Sequence, residues 1–414
     1  MRSFRNAVTI LIALALTVLG SSAQAQTFSV IHNFTGVPRD GANPYAGLTI
    51  DQVGNLYGTT RNGGSGYGMV FELKHTNSGF LFRPLYSFAG GNDGASPEAG
   101  VIIGPDGSLY GTTTSGGGAP PEGVGTVFNL KPPPAACKTA LCPWMETVLQ
   151  SFNEANGSYP YSEVTVDQAG NLYGTVRSGG ERDDGAVYEL TFFNGGWTES
   201  TAYSFSGSDG QYPLAGVIFD NMGNLYGTTL AGGSSGYGTV FQLVPANGGW
   251  RENILYTFQD GNDGAAPYAG LIFDPSGNLY GATVGGGRNG GGTVFELTPS
   301  NGSWALKTLY SFNTGAHGCG GPNGTLVMDG AGNVYGTTCS EGAYGYGNVF
   351  ELTPSGNSWT YTSLHDFTGG SDGAMPYGSV AIDANGKLYG TASQGGTGCA
   401  PYGCGVVWEI TPQQ

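Results

Sequence analysis

One seven-residue sequence, GNLYGTT, recurs seven times along this chain with small changes. Its tyrosines are Tyr57, Tyr110, Tyr173, Tyr226, Tyr280, Tyr335 and Tyr389, at intervals of 53, 63, 53, 54, 55 and 54 residues. The one long interval contains the insertion KPPPAACKTALC. A period near 50 residues is typical of β-propellers and solenoids, in which each repeat is one structural unit.

Each repeat contains four strand-like runs. In the fourth repeat these are LAGVIFD, LYGTT, TVFQLV and WRENILYTF, separated by clusters rich in Gly, Asn and Asp. Such runs predict strands joined by hairpins, and no segment has helical periodicity. Neighbouring apolar residues, as in TVFEL, indicate strands covered on both faces, which is typical of a blade packed between two other blades.

The two ends of the chain predict a closed ring. The last repeat stops after its third run, VVWEITP, whereas TFSVIHNF at residues 27–34 resembles the fourth runs of the other repeats. We therefore predict an all-β fold: a seven-bladed β-propeller of four-stranded antiparallel blades, a single domain over residues 26–414. Strand 27–34 completes the last blade and leaves no open sheet edge. A solenoid would need caps, and none is visible.

The repeat motif itself is interpreted as scaffold. The Asp before it caps a turn in which Gly takes positive φ. We expect Leu and Tyr to pack on neighbouring blades, and the Gly after Tyr to let backbones come close. The second repeat has Gly104 in place of the Asp, which argues against a catalytic role for that Asp.

The tandem pattern GNLYGTT, GTVFELTP, LYSF and DGA.PYAGL resembles the choice-of-anchor tandem-repeat family called GloVer, a Gloeo/Verruco-type repeat. The resemblance covers essentially the whole mature chain and implies an exported bacterial protein with no established chemistry. Some members of that family carry a C-terminal sorting segment. This chain ends at EITPQQ, and we expect no such anchor.

The first 25 residues have the pattern of a signal peptide. Arg2 and Arg5 precede the apolar run AVTILIALALTVLG, and Ala23 and Ala25 precede a cleavage point at about Ala25/Gln26. That run is too short to cross a bilayer comfortably, and no later run could, so we predict no membrane span. The sequence predicts a secreted or periplasmic protein, and we expect a monomer.

The charge of the chain excludes a class of partner. The formal net charge is −16, and loss of Arg2 and Arg5 with the signal peptide makes it −18. Binding of nucleic acid requires clustered Lys and Arg, so no nucleic-acid partner is expected.

The six cysteines form local pairs. We predict the disulfides Cys137–Cys142, Cys319–Cys339 and Cys399–Cys404, because an even number in an exported protein favours disulfides. A metal site is the alternative, but the pairs lie in separate repeats. We expect no cofactor. Calcium at the repeated Asp-Gly turns is a weak alternative, because no DxDxDG loop is present.

The face of a propeller that carries the connections between blades is the candidate site, because loops on a rigid scaffold usually carry function. The position after a repeated proline is occupied by Tyr45, Glu98, Tyr161, Leu214, Tyr268, Asn323 and Tyr377. It lies where the chain enters each innermost strand. The candidate ligand-binding residues Tyr45, Tyr161, Tyr268 and Tyr377 could stack on sugar rings. Alternatively, they only plug the channel.

Departures from the repeat supply candidate catalytic residues. The third repeat brings Arg177 in RSGGERDDGA, at the position of Arg61, and the sixth brings His317 in GAHGCGGPN. With a Tyr, such groups could serve a polysaccharide lyase, in which Arg neutralises a uronate and Tyr or His moves the proton. The carboxylates Glu98 and Glu163 could instead serve a glycoside hydrolase. The alternative is that all five are solvated loop charges.

Two functions remain open at this point. The first is a non-catalytic binding module for a glycan, a cell-envelope component or a protein. The second is a polysaccharide-cleaving enzyme that uses the same face. The similarity of the blades favours the first, because catalysis needs unlike groups at unlike positions.

Overall fold

The computed structural model describes residues 26–36, 40–118, 123–134, 142–315 and 320–411. These residues contain thirty strands and no helix. Seven antiparallel sheets of four strands each form the blades, and the two remaining strands form a short ribbon. The predicted seven-bladed β-propeller is confirmed.

The blades follow one another along the chain, each running from its innermost to its outermost strand. Blade 1 consists of β3 (Thr49–Ile50), β4 (Leu56–Thr60), β6 (Met69–Thr76) and β7 (Gly79–Ser87). Blade 2 consists of β8 (Ile102–Ile103), β9 (Leu109–Thr113), β10 (Thr126–Lys131) and β11 (Met145–Ser151). Blade 3 consists of β12 (Thr165–Val166), β13 (Leu172–Val176), β14 (Ala186–Phe193) and β15 (Gly196–Ser204). Blade 4 consists of β16 (Ile218–Phe219), β17 (Leu225–Thr229), β18 (Thr239–Ala246) and β19 (Gly249–Thr257). Blade 5 consists of β20 (Ile272–Phe273), β21 (Leu279–Thr283), β22 (Gly290–Ser300) and β23 (Ser303–Asn313). Blade 6 consists of β24 (Val327–Met328), β25 (Val334–Thr338), β26 (Asn348–Ser355) and β27 (Ser358–Asp366). Blade 7 consists of β28 (Ala381–Ile382), β29 (Leu388–Ala392), β30 (Val406–Thr411) and β1 (Thr27–Asn33). The short ribbon consists of β2 (Gly41–Ala42) and β5 (Asn62–Gly63).

The ring closes as predicted. Strand β1 pairs antiparallel with β30, from Thr27 opposite Thr411 to Asn33 opposite Val406. Phe34 follows β1, is fully buried, and donates its N–H to the carbonyl of Gly405 at 3.1 Å. The first strand of the chain therefore completes the last blade.

The repeat motif occupies the second strand of every blade and joins it to the next blade. Tyr173 packs edge-on against Trp250 of the following blade, with ring centroids 5.9 Å apart. The Oγ1 of Thr228 donates to the carbonyl of Ala269 in the next blade at 3.1 Å. The same bond recurs in every blade except blade 5, where Ala282 replaces the threonine. The motif recurs because each copy makes the same contact between blades.

The aspartate before the motif caps a turn, as predicted. The Oδ1 of Asp220 accepts the backbone N–H of Met222 at 2.8 Å and of Asn224 at 2.9 Å. Gly223 has φ of 82° in the same turn. These hydrogen bonds make the Asp220 carboxylate part of the scaffold.

Cysteines of all three predicted pairs are involved in disulfides. Cys399 is bonded to Cys404. Cys142 and Cys339 are also disulfide-bonded, but their predicted partners Cys137 and Cys319 lie outside the described residues, so those two pairings stay predictions. Within the described ranges, no helix has the length and apolar character needed to cross a membrane.

Candidate functional site

Two kinds of loop lie together on one end of the propeller, which we call the loop face. They are the connections between blades and the loops that join the second and third strands of each blade. In blade 1 they pair as the ribbon β2–β5, and in blade 4 Gln211 pairs with Ala231. The opposite end, the hairpin face, carries the turns between first and second and between third and fourth strands.

A strained backbone position fixes the geometry of the loop face. In six blades the residue before the repeated proline has φ between 53° and 58°: Asn43, Ser96, Tyr159, Tyr212, Ala266 and Met375. Residues other than Gly rarely adopt this conformation, and it persists only where the surroundings hold it. The N–H of Tyr212 donates to Asp184 O at 2.8 Å, and its carbonyl accepts from Leu230 N–H at 3.1 Å. The residue after the proline is thereby aimed into the channel.

The seven residues after the prolines, which we call the mouth ring, line a central cavity of about 660 Å³. Tyr45 and Tyr377 stack with ring centroids 5.2 Å apart and planes at 19°. Burial raises the pKa of Tyr268 to about 12, and the charge of Glu98 contributes to the same rise. The four predicted ligand-binding tyrosines, Tyr45, Tyr161, Tyr268 and Tyr377, all belong to this ring. The structure therefore brings them together at one mouth.

Arg61 and Glu98 form an ion pair at the mouth. The Nε of Arg61 lies 3.1 Å from Oε1 of Glu98, and its Cζ lies 5.5 Å from the centre of the Tyr45 ring. Burial raises the pKa of the Glu98 carboxyl, and the charge of Arg61 opposes that rise. The pair gives this side of the mouth both signs of charge.

Arg177 takes a different position from Arg61, although the two are equivalent in the repeat. Its Cζ lies 4.7 Å from the centre of the Tyr212 ring, a cation–π contact outside the mouth ring. Burial raises the pKa of Tyr161, and the charge of Arg177 opposes that rise. Arg177 therefore lies close enough to the mouth ring for its charge to affect Tyr161.

Glu163 lies one level deeper in the channel. The residues two positions after the mouth ring also line the cavity, just before each innermost strand begins. They form the middle ring, Gly47, Gly100, Glu163, Gly216, Gly270, Thr325 and Ser379. The Glu163 carboxylate accepts the N–H of Gly100, and burial raises its pKa while that hydrogen bond opposes the rise. Thr325 Oγ1 likewise accepts the Gly270 N–H at 3.1 Å.

The candidate catalytic set is only partly assembled in the described structure. Glu98 and Glu163 line one cavity, and Arg61 and Arg177 lie near it. His317 lies outside the described residues. The roles of all five stay predictions.

Sequence reasoning missed a second group of aromatic side chains, which we call the outer tyrosines. Tyr67, Tyr159, Tyr237, Tyr344 and Tyr402 are exposed by 39% to 77%, and all five lie in loops of the loop face. The signal was present for Tyr67 and Tyr237, each of which occupies the same place in a repeated SGYG loop. The sequence could not show that the outer tyrosines are exposed to solvent.

A family model described as the Gloeobacter/Verrucomicrobia repeat matches this chain over residues 17–229, 140–302 and 216–414. No curated protein matches the chain. Among solved structures, a Bacteroides uniformis protein described as a putative 6-phosphogluconolactonase is 15% identical with a TM-score of 0.51, over 84% of this chain and 89% of that one. A Thermus thermophilus protein described as a putative oxidoreductase (glucose dehydrogenase) is 14% identical with a TM-score of 0.43, over 94% of this chain and 100% of that one. At 15% identity, the similarity to the Bacteroides uniformis protein shows a shared fold alone.

Proposed function

We propose that this chain, which belongs to the Gloeobacter/Verrucomicrobia repeat family, is a non-catalytic, exported binding module that holds a glycan of the cell envelope over its channel mouth. The signal-peptide pattern of residues 1–25 and the disulfide Cys399–Cys404 support export, because disulfides persist in oxidising compartments.

The observation that carries the proposal is the collection of tyrosines on one face. Four tyrosines converge in the mouth ring, and the five outer tyrosines surround them on the same side of the molecule. A tyrosine offers a flat apolar ring with a polar tip, which suits the faces and hydroxyls of a sugar. Rigid loops on a propeller hold such rings in place without a large loss of side-chain entropy.

A non-catalytic role fits the surroundings of the two carboxylates in the cavity. Glu98 is paired with Arg61 at 3.1 Å, and Glu163 is hydrogen-bonded to a backbone N–H. Both carboxylates thus already have partners in the scaffold.

The test is a screen of the purified mature protein against plant and microbial polysaccharides. It should read binding together with the release of reducing ends and unsaturated products. We expect binding without product. Sustained product formation that follows protein concentration would contradict the proposal.

Variants then place the site. The double substitution Tyr45→Ala and Tyr268→Ala should weaken binding by about 1–3 kcal/mol, because each aromatic contact contributes about 0.5–1.5 kcal/mol beyond burial. The matched control is Phe192→Ala with Phe193→Ala, since these rings are exposed by 58% and 73% at a turn of the hairpin face. If the tyrosine and the phenylalanine double substitutions weakened binding equally, the mouth ring would not be the binding site.

A glycoside hydrolase is the second candidate, because Glu98 and Glu163 line one cavity in different environments. Two carboxyl groups with different surroundings are what an acid and a base or nucleophile require. In that case Glu163→Gln should abolish product release while polysaccharide binding persists. Lyase chemistry with His317 stays a prediction that the same product assay tests.

A further inference from the structure

The channel wall carries charge of one sign only. Among the described residues that line the cavity, Glu98 and Glu163 carry carboxyl groups, and no Lys, Arg or His lies in the wall. Arg61 at the rim pairs with Glu98 at 3.1 Å. Glu163 has the Gly100 N–H as its hydrogen-bond donor and forms no ion pair among the described residues. The interior of the channel therefore has an uncompensated carboxylate.

The middle ring surrounds the cavity at the level of this carboxyl group. Four of its seven positions are glycine, which lets neighbouring blades come close: a Cβ at Gly100 would lie 2.3 Å from Oε1 of Glu163. Protein atoms surround the Glu163 side chain, yet it remains exposed to solvent within the channel. The result is a chamber below the mouth ring with a carboxylate on its wall.

The chamber offers further hydrogen-bond acceptors beside the carboxyl group. Besides the carboxylate, the hydroxyl oxygens of Thr325 and Ser379 each accept one backbone N–H, at 3.1 Å and 3.0 Å, and each has a second lone pair. The tyrosine rings of the mouth add negative ring faces that attract a cation. The net charge, −16 for the full sequence and −18 without Arg2 and Arg5, favours the approach of a cation and opposes that of an anion.

We propose that the chamber binds a primary ammonium group, so that the ligand is a glycan of amino sugars with free amines. This rests on the proposed function, since it names the chemistry of the ligand at the same mouth. A primary ammonium can donate a charge-assisted N–H bond to the Glu163 carboxylate, whereas a quaternary ammonium has no N–H to donate. An acetylated amine loses the charge, and a uronate brings a second negative charge against Glu163. The cavity of about 660 Å³ is large enough to hold a sugar ring.

Calorimetry with two probes tests the assignment. The probes are the tetramer of β-1,4-linked glucosamine and the same tetramer with every amine acetylated. We expect the free-amine tetramer to bind the wild-type protein at least ten times more tightly. Glu163→Gln should weaken the free-amine tetramer by roughly 10- to 100-fold, because it removes one charge-assisted contact. It should leave the acetylated tetramer unchanged, because an amide still accepts the Gly100 N–H.

Glu181→Gln is the matched control. Glu181 lies exposed in a loop of the same blade, so this variant makes the same change in net charge away from the chamber. If both tetramers bind equally and Glu163→Gln changes neither affinity, the ammonium assignment is wrong, while the proposed glycan binding still stands. Equal losses in the two Gln variants overturn it as well, because long-range attraction then explains the preference. Binding of neither tetramer also overturns it, and the polysaccharide screen with the tyrosine variants then decides the proposed function separately.

Discussion

Gly227, the glycine of the fourth repeat motif, lies beneath the ring of Phe241 on the adjacent strand. A Cβ at Gly227 would lie 2.6 Å from Cζ of Phe241. Every blade repeats this arrangement, with a Phe, Tyr or Trp of the third strand over the motif glycine. Sequence reasoning predicted a close approach at this position but assigned it to a backbone. The partner is an aromatic ring, because strand pairing places Gly227 directly opposite Phe241.

Gly227→Ala should therefore destabilise the protein by overpacking. Gly227 does not have positive φ, so the expected loss of about 1–3 kcal/mol arises from the close contacts of the new Cβ, at 2.6 Å with Phe241 and at 3.2 Å with Val217. Denaturant unfolding measures the effect. The control is Gly330→Ala, because Gly330 also lacks positive φ and a Cβ there would have no atom within 4 Å. Similar unfolding midpoints for the two variants would show that the ring can move aside without cost.

The positive φ of the residues before the repeated prolines could not be predicted from the sequence, for a physical reason. The left-handed positions before proline are occupied by Asn, Ser, Tyr, Ala and Met, which share no preference for positive φ. Their conformation is imposed by hydrogen bonds to two neighbouring loops and is therefore visible only in the folded ring. The turn-capping aspartates, in contrast, act within one turn, and the sequence sufficed to predict them.

At the scale of elements, the strand that closes the ring is the most informative. Residues 27–34 resemble a fourth strand, and the structure pairs Thr27–Asn33 antiparallel with the third strand of the last blade, with a register shift between Val30 and His32. Phe28 of this strand stacks on His365 of blade 6, with ring centroids 3.6 Å apart. The strand therefore contributes both backbone pairing and burial against the neighbouring blade.

Deletion of residues 27–34 should lower the free energy of unfolding by several kcal/mol, because it removes a row of backbone hydrogen bonds and the burial of Phe34. Chemical denaturation of the full and shortened mature chains measures this change. Equal midpoints would show that blade 7 is stable with three strands.

Contacts between blades also contain an acidic pair that the sequence did not reveal. The hydroxyl of Tyr203 in blade 3 lies 2.7 Å from Oδ2 of Asp209 and 3.2 Å from Oε2 of Glu252 in blade 4. The second carboxylate oxygen of Glu252 is buried without a hydrogen-bond partner in the described structure. Burial, followed by the charge of Asp209, raises the pKa of Glu252 to about 7. The two carboxylates are far apart in sequence, so only the packing of blades brings them together.

This pair should make stability fall as pH rises. A carboxyl group whose pKa is higher in the folded state than in the unfolded chain stabilises the fold fully below its ordinary pKa of about 4.5 and loses that effect as pH rises through about 7. Glu252→Gln removes the titration, so its melting temperature should exceed that of the wild type at pH 8 and match it more closely at pH 5. Thermal unfolding across this range measures the difference. Glu154→Gln, an exposed change of the same kind, should not alter the slope, and an identical slope for Glu252→Gln would refute the assignment.

At the scale of the whole molecule, the number of blades followed from the number of repeats, because each repeat is one unit of the ring. The convergence of tyrosines at the mouth also followed, because equivalent positions of a ring face a common axis. The position of Glu163 inside the channel did not follow. Glu163 precedes the two-residue inner strand Thr165–Val166, and the irregular backbone there has no strand alternation that would show which residues turn toward the axis.

Hydrogen–deuterium exchange with the polysaccharide that binds best in the screen tests the central claim most directly. A ligand over the mouth should slow exchange in the loops of the loop face, around residues 43–49, 61–68, 96–100 and 159–163. Exchange in the hairpin turns, such as residues 193–196 and 246–249, should be unchanged. Protection confined to those turns, or no binding by any polysaccharide, would contradict the account.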